Sequence, residues 1–115
     1  MIMNRKSCLT KRGFMIELRE YKLFEGEKEN WLKFMEEVVL PHQIKCGMKI
    51  LFQSIYEDES KNVWFVWARQ YDSEEHKIKA NEATYNEWWI SEVRPKVFTM
   101  IDKDAVRVRW LEELG

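Results

Sequence analysis

An α+β domain with the element order β-α-β-β-α-β is what this sequence predicts, and three observations predict it. Two segments, Met15 to Leu23 and Ala105 to Leu111, alternate apolar and polar residues with period two. A third, Val63 to Tyr71, is apolar on both faces through Trp67, as expected of a strand with neighbours on both sides. Between them, Trp31, Phe34, Met35, Val38 and Val39 recur at the i, i+3, i+4, i+7, i+8 spacing of an amphipathic helix.

The elements follow in order. Residues 1–14 are polar and basic without periodicity and are expected to form a flexible N-terminal extension. Met15 is a candidate biological start, since the ordered pattern begins there. The first strand places Ile16 and Leu18 on one face and Glu17, Arg19 and Tyr21 on the other. Glu25-Gly26 ends it. The helix that follows is expected to end or kink near Leu40, because Pro41 has no N–H and its ring clashes with the preceding turn. A short piece from His42 to Cys46 then closes at Gly47, a natural C′ residue. Met48 to Tyr56 alternates, with Met48, Ile50, Phe52 and Tyr56 expected on one face. Residues 57–62 form a polar turn.

After Tyr71, Asp72 or Ser73 caps a helix whose first turn holds Glu74 and Glu75, favourable at the positive end of the dipole. The helical pattern runs through Ile78, Tyr85, Trp89 and Val93 until Pro95 interrupts it. The last strand sets Val106, Val108 and Trp110 against Arg107, Arg109 and Leu111. This order is the ferredoxin-like split βαβ arrangement: a four-stranded antiparallel sheet with both helices on one face. The domain is expected to span 15–112. The uncovered sheet face should be apolar, with Phe65 or Trp64, Val106 or Trp110 and the Met48 row on it. Such a face marks an association surface, and two of them facing each other form a dimeric α+β barrel. A homodimer is therefore expected.

Composition narrows the function. The 115 residues suffice for one core without staples. A formal net charge of −1 argues against phosphate-driven nucleic-acid binding. No run approaches the roughly 18 apolar residues of a membrane span, and no signal peptide is visible. A cytoplasmic protein is expected. Cys8 and Cys46 allow one disulfide, which a reducing compartment disfavours. There is no dinucleotide fingerprint, phosphate loop, HExxH or CxxC, so no cofactor and no metal are expected.

The segments Met15-Ile16-Glu17-Leu18-Arg19-Glu20-Tyr21, with Glu25-Gly26, and Phe65-Val66-Trp67-Ala68-Arg69-Gln70-Tyr71-Asp72-Ser73-Glu74 resemble the NIPSNAP family. So do Tyr85-Asn86-Glu87-Trp88-Trp89 and Arg94-Pro95-Lys96-Val97. The likeness covers Met15 to Trp110. It implies a dimeric α+β barrel and little chemistry, since most members have no assigned reaction. This chain has a single copy of the domain, so roles of the longer mitochondrial members carry over poorly.

Several residues are site candidates. Arg19, Tyr21, Arg69 and Tyr71 come side by side if the first and third strands pair, and could hold an anionic or oxygenated ligand; an ion-pair cluster with Glu17 would use the same residues. Trp31, Trp64, Trp67, Trp88 and Trp89 could wall an apolar pocket or simply fill core and dimer contacts. Trp88 and Trp89 are about 100° apart on a helix, so only one points inward. Tyr85 joins the ligand-binding candidates. His42 is the candidate general base, and His76 a weaker one. His42 and Cys46 at i, i+4 would make a two-ligand metal site, which is weak. Arg94, Lys96 and Lys103 read as surface.

The leading expectation is a NIPSNAP-like protein of unassigned activity that binds a small apolar or aromatic molecule between sheet and helices. One alternative is a cofactor-independent monooxygenase or haem-handling enzyme using His42, Trp67 or Tyr85. The other is a structural or protein-interaction dimer module.

Overall fold

The computed structural model describes residues 14–114. The extension expected over 1–14 and the question of Cys8 therefore lie outside the described residues, apart from Phe14.

Strand β1 (Met15–Lys22) leads through the turn at Gly26, whose φ of 81° is costly for residues with a Cβ, into helix α1. Helix α1 has three contiguous parts: an α-helical segment Lys28–Phe34, a π-helical turn Met35–Val39 and an α-helical segment Leu40–Lys45. Gly47, at φ 101°, closes it. Strands β2 (Lys49–Glu57) and β3 (Val63–Tyr71) form a hairpin. Helix α2 (Glu74–Thr84) follows, with Ser73 as the capping residue accepting from the His76 N–H. Helix α3 combines a π-helical turn Trp89–Val93 with an α-helical segment Arg94–Met100. A short 3₁₀ turn, Lys103–Ala105, precedes β4 (Arg107–Glu112).

The sheet order is β2-β3-β1-β4, with every pair antiparallel. This is the split βαβ arrangement predicted above, and β3 is central. In an antiparallel pair, opposed residues share a face. Glu17 opposes Arg69 and Tyr21 opposes Phe65, so Glu17, Arg19, Tyr21, Phe65, Trp67 and Arg69 share one face. Tyr21, Phe65 and Trp67 pack there with Trp31, Phe34, Met35 and Val39 of α1 and Trp89, Val93 and Met100 of α3. The helices thus cover this face. Ile16, Leu18 and Glu20 look the other way.

Four expectations need correction. Of the end or kink expected near Leu40, the end does not occur: helix α1 continues past Pro41. Proline removes one N–H bond and its ring presses on the carbonyl four residues back. Each helix carries a π-helical turn that ends two residues before its proline, at Val39 before Pro41 and at Val93 before Pro95. The wider turn lets the chain pass the proline while staying helical.

The second helix does not run unbroken through Tyr85. It ends at Thr84, and Asn86 starts the next one by accepting the Trp89 N–H at 2.9 Å. Asparagine at an N-cap is a legible signal that the apolar spacing obscured. Ile78, read as inward, is exposed, whereas Ala80 and Thr84 are buried.

The Met48 row does not share a face. A bulge between Ile50 and Phe52 shifts the β2 register, so Ile50 opposes Arg69 on the helix side and Phe52 opposes Ala68 on the open side. The open face also differs in membership. Trp64 is on it, stacked on Tyr56 with a 10° interplanar angle, while Phe65 is core. Trp110 opposes Glu17 and lies on the helix side, where Lys77 Nζ sits 4.7 Å from its ring centroid. The β4 residues on the open face are Arg107, Arg109 and Leu111.

Candidate functional site

The helix-covered face holds a charged network at its centre. Arg69 is 1% exposed. Its Nε and Nη2 donate to Glu17 Oε1 at 3.0 and 2.7 Å, and its Nη1 donates to Gln43 Oε1, Tyr85 Oη and Met48 Sδ. Tyr71 donates to the same Glu17 oxygen at 3.0 Å. Arg19 takes the other oxygen, Oε2, with Nη1 at 2.6 Å, and donates from Nε to Tyr21 Oη at 2.7 Å. One carboxylate therefore anchors two guanidiniums and a phenol.

The protonation states follow from that arrangement. Burial pushes the Glu17 carboxyl up, but Arg69 and Arg19 outweigh it and hold it below the usual carboxylate range. Burial opposes the charge on Arg69, yet the oxygens of Tyr85, Glu17 and Tyr71 prevail and raise its pKa. Burial raises the Tyr71 phenol well above its ordinary value. The network is ionised where charge is paired and neutral where it is not.

Above this floor lies a cavity of about 520 Å³. The sheet contributes Glu17, Arg19, Tyr21, Trp67 and Arg69 to its lining. Both π-helical turns contribute too: Met35 and Val39 from α1, Trp89 and Ile90 from α3. Such turns recur at functional sites because they displace side chains from the regular helical row. Arg94 and Lys103 line the cavity while remaining exposed. Trp31 and Trp67 also line it, and their indole Nε1 atoms are buried without a partner among the described residues. Each such donor costs about 1–3 kcal/mol, so the wall is not arranged for stability alone.

Of the ligand-binding candidates, Arg19, Tyr21, Trp67, Arg69, Tyr85 and Trp89 line this cavity. Tyr71 is fully buried beside Met48 and Ala80, does not line the cavity, and joins the site through Glu17 and Met48. His42 is not among the lining residues. Its Nε2 lies 2.9 Å from the Thr84 carbonyl, and its ring packs between Trp88 and Trp89 at 4.9 and 5.5 Å. Its Nε2 stands 3.8 Å from Cys46 Sγ, and no group of three or more potential metal ligands exists among the described residues. His76 has a structural place: Nδ1 accepts the Asp72 N–H and Nε2 donates to the Gly47 carbonyl at 2.7 Å.

Among the tryptophans, Trp31, Trp67 and Trp89 line the cavity, Trp64 lies on the opposite sheet face and Trp88 is exposed. Among the lining residues that sequence reasoning did not assign to a site are Gln43, Arg94 and Lys103. Gln43 is 2% exposed within a helix end, and only its position over Arg69 gives it a role. Arg94 and Lys103 read as surface charge, and only the fold shows that the cavity opens beside them.

No protein-family model and no curated protein matches this chain. Solved structures do. One is an uncharacterized NIPSNAP-like domain protein from Burkholderia xenovorans, with a TM-score of 0.74 and 14% identity over 90% of this chain and 88% of that one. A second is a NIPSNAP family protein with unknown function from Agrobacterium tumefaciens, with a TM-score of 0.73 and 17% identity over 90% of both chains. A third, also a NIPSNAP family protein from Agrobacterium tumefaciens, gives a TM-score of 0.65 at 16% identity over 89% of this chain and 87% of that one. The chain has the fold of NIPSNAP-domain proteins, and that likeness carries no assigned activity.

Proposed function

We propose that this NIPSNAP-like domain, spanning 15–112, binds a small apolar or aromatic molecule in the cavity between sheet and helices. The carrying observation is the cavity itself: about 520 Å³, walled by Trp31, Trp67 and Trp89 and floored by the Glu17–Arg69 pair. Ligand sites of a few hundred cubic ångströms with apolar walls and a few polar groups fit this description. A domain serving only as a dimer module has no need of such a space. The enzyme reading is weakened at His42, which stands outside the lining with its Nε2 facing a backbone carbonyl, while its other candidates, Trp67 and Tyr85, line the cavity. A panel of small aromatic metabolites, read by melting shift, tests the binding role. A rise of several degrees with at least one member is expected, and a flat response across the panel rejects it.

The same proposal includes a homodimer formed through the open sheet face. Phe52, Tyr56 and Leu111 are exposed there, at 48%, 41% and 44%. An apolar patch of that kind favours association. Sizing at micromolar concentration should return about twice the 14.1 kDa chain mass, and Phe52→Glu should return a folded monomer, since an unpaired charge in an interface costs several kcal/mol. A wild-type monomer at high concentration rejects the dimer. A cytoplasmic location is part of the proposal; among the described residues Cys46 forms no disulfide, and no described helix is long and apolar enough to cross a membrane. Neither nucleic acid nor a membrane is proposed as a partner.

A further inference from the structure

We propose that the ligand of this cavity is an amphiphilic carboxylate whose apolar, preferentially aromatic, body lies against the tryptophans and whose single anionic head is held by Arg19. This rests on the binding role above and names the ligand's charge.

The argument begins with a charge inventory. The chain carries a net charge of −1. The cavity lining does not follow that average. It contains four cations, Arg19, Arg69, Arg94 and Lys103, and one acid, Glu17. Glu17 is committed to Arg69 and Arg19, and no other carboxylate lines the space. The cavity is therefore positive inside a slightly acidic protein, and an anion is favoured over a cation or a neutral body.

Donor counting then selects the residue. Arg69 is nearly spent: four of its five N–H groups donate to protein atoms, one Nη2 hydrogen is left, and the residue is 1% exposed. Its burial beneath the helices, rather than a full set of partners, keeps it from a ligand. Arg19 is different. Of the five N–H groups of a guanidinium, it uses one at Nη1 for Glu17 and one at Nε for Tyr21. The remaining Nη1 hydrogen and both Nη2 hydrogens have no protein partner among the described residues. That leaves enough donors for a two-point contact with a carboxylate, on a guanidinium already held in place from behind by Glu17 and Tyr21. Arg94 and Lys103, which line the cavity and form no ion pair among the described residues, add positive potential without competing acids.

A carboxylate is preferred to a phosphate on the same grounds. The Glu17 carboxylate lies 2.6 Å from Arg19 Nη1. A second negative charge on the head doubles both its repulsion from Glu17 and its attraction to the cations, but Glu17 is buried and unscreened whereas Arg94 and Lys103 are exposed and screened by solvent, so the second charge gains less than it costs. The body of the ligand is set by the aromatic walls, which favour a flat ring system.

The test compares one ring system with three heads: 2-naphthoate, neutral 2-naphthylmethanol and 2-naphthyl phosphate, titrated into the full chain by calorimetry. Naphthoate should bind at least tenfold tighter than the alcohol and tighter than the phosphate. Arg19→Met should remove most of the preference for naphthoate over the alcohol while leaving alcohol binding within about twofold. If circular dichroism finds Arg19→Met unfolded, the Arg94→Gln/Lys103→Gln variant carries the comparison, since both side chains are exposed and unpaired; its preference should fall at least threefold. Equal affinity for naphthoate and alcohol overturns the anionic ligand while leaving the cavity's binding role standing. Phosphate binding tighter than naphthoate overturns the carboxylate. Full retention of the preference in a folded variant overturns the role of the substituted residue. Failure of all three compounds at millimolar concentration overturns both this inference and the binding role beneath it.

Discussion

Glu17 and Glu20 lie three residues apart on β1 and point to opposite faces of the same sheet. Both side chains are almost buried and both pair with arginines at 2.7 Å. The difference is in the arginines. Arg69, which holds Glu17, has a side chain 1% exposed beneath the helices. Arg109 and Arg107, which approach Glu20 from the edge strand, are 64% and 58% exposed. Distance is therefore a poor guide to what an ion pair contributes. The Coulomb energy of the same contact rises several-fold as the effective dielectric falls from that of water toward that of a protein interior. The desolvation of both charges rises with it, so the buried pair is one whose partners cannot be separated cheaply. Helices cover the Glu17 face over Arg69, and the open face leaves its arginines in solvent.

The contrast is most sharply broken at Arg69. Arg69→Met keeps most of the side-chain length but leaves Glu17 without its fully buried partner and frees Gln43 and Tyr85. A loss of about 3–5 kcal/mol is expected from urea unfolding. A loss below about 1 kcal/mol would mean that Arg19 alone satisfies Glu17 and that the two faces are energetically alike.

Acid titration probes the other partner. Glu17 titrates below the ordinary carboxylate value because Arg69 and Arg19 overcome its burial. A carboxylate with a lowered folded pKa binds fewer protons folded than unfolded in the window between the two values. Its contribution is therefore complete above the unfolded value, about 4.3, and declines as pH falls below it toward the folded value. Wild-type stability should drop through that window. Glu17→Gln should be less stable at pH 7 and should show a shallower decline in acid. An equally steep decline in the variant would assign acid unfolding to other carboxylates.

The smallest effect is expected on the open face. Arg109→Met removes the 2.7 Å contact to Glu20, but from a solvated arginine whose neighbour Arg107 remains. The cost to the monomer should lie within about 1 kcal/mol and should shrink further in salt. A loss comparable to that of Arg69→Met would show that the open face is not solvated in solution, as it would be if a second sheet covered it.

Much of this architecture was legible before any coordinates. The period-two runs of β1 and β4, the doubly apolar β3 and the α1 stripe specify the element order, because each period fixes which side chains can share a face. Arg19, Tyr21, Arg69 and Tyr71 were expected side by side on the condition that the first and third strands pair, with Glu17 as the acid in one of two readings; strand order meets the condition. Local reading failed where one residue changes the period. The bulge between Ile50 and Phe52 inverts the second half of β2, and no residue type there announces it. Pro41 read as a helix end or kink and Pro95 as an interruption, because a proline removes an N–H; packing of α1 and α3 on the sheet instead stabilises a widened turn through which the helix continues.

The cavity shows the same division. From sequence, the tryptophans stood open between pocket walls and plain packing, and the Glu17 ion pair was an alternative to a ligand site rather than its floor; strand alternation and helix spacing offered the residues but not their arrangement. The cavity's charge was not legible there either. Arg94 and Lys103 come from a helix and a 3₁₀ turn far from β1 in the chain, and only tertiary placement brings them to a space that contains a single acid. Which arginine is buried with most of its donors committed and which keeps free, accessible donors was likewise undecided, because Arg19 and Arg69 look equivalent on paired strands. Gln43, Tyr85 and Met48 settle it by closing over Arg69 from elements distant in sequence. Alternation along a strand determines the face a side chain occupies, whereas burial and partners depend on what packs against that face, and that is a property of the whole chain.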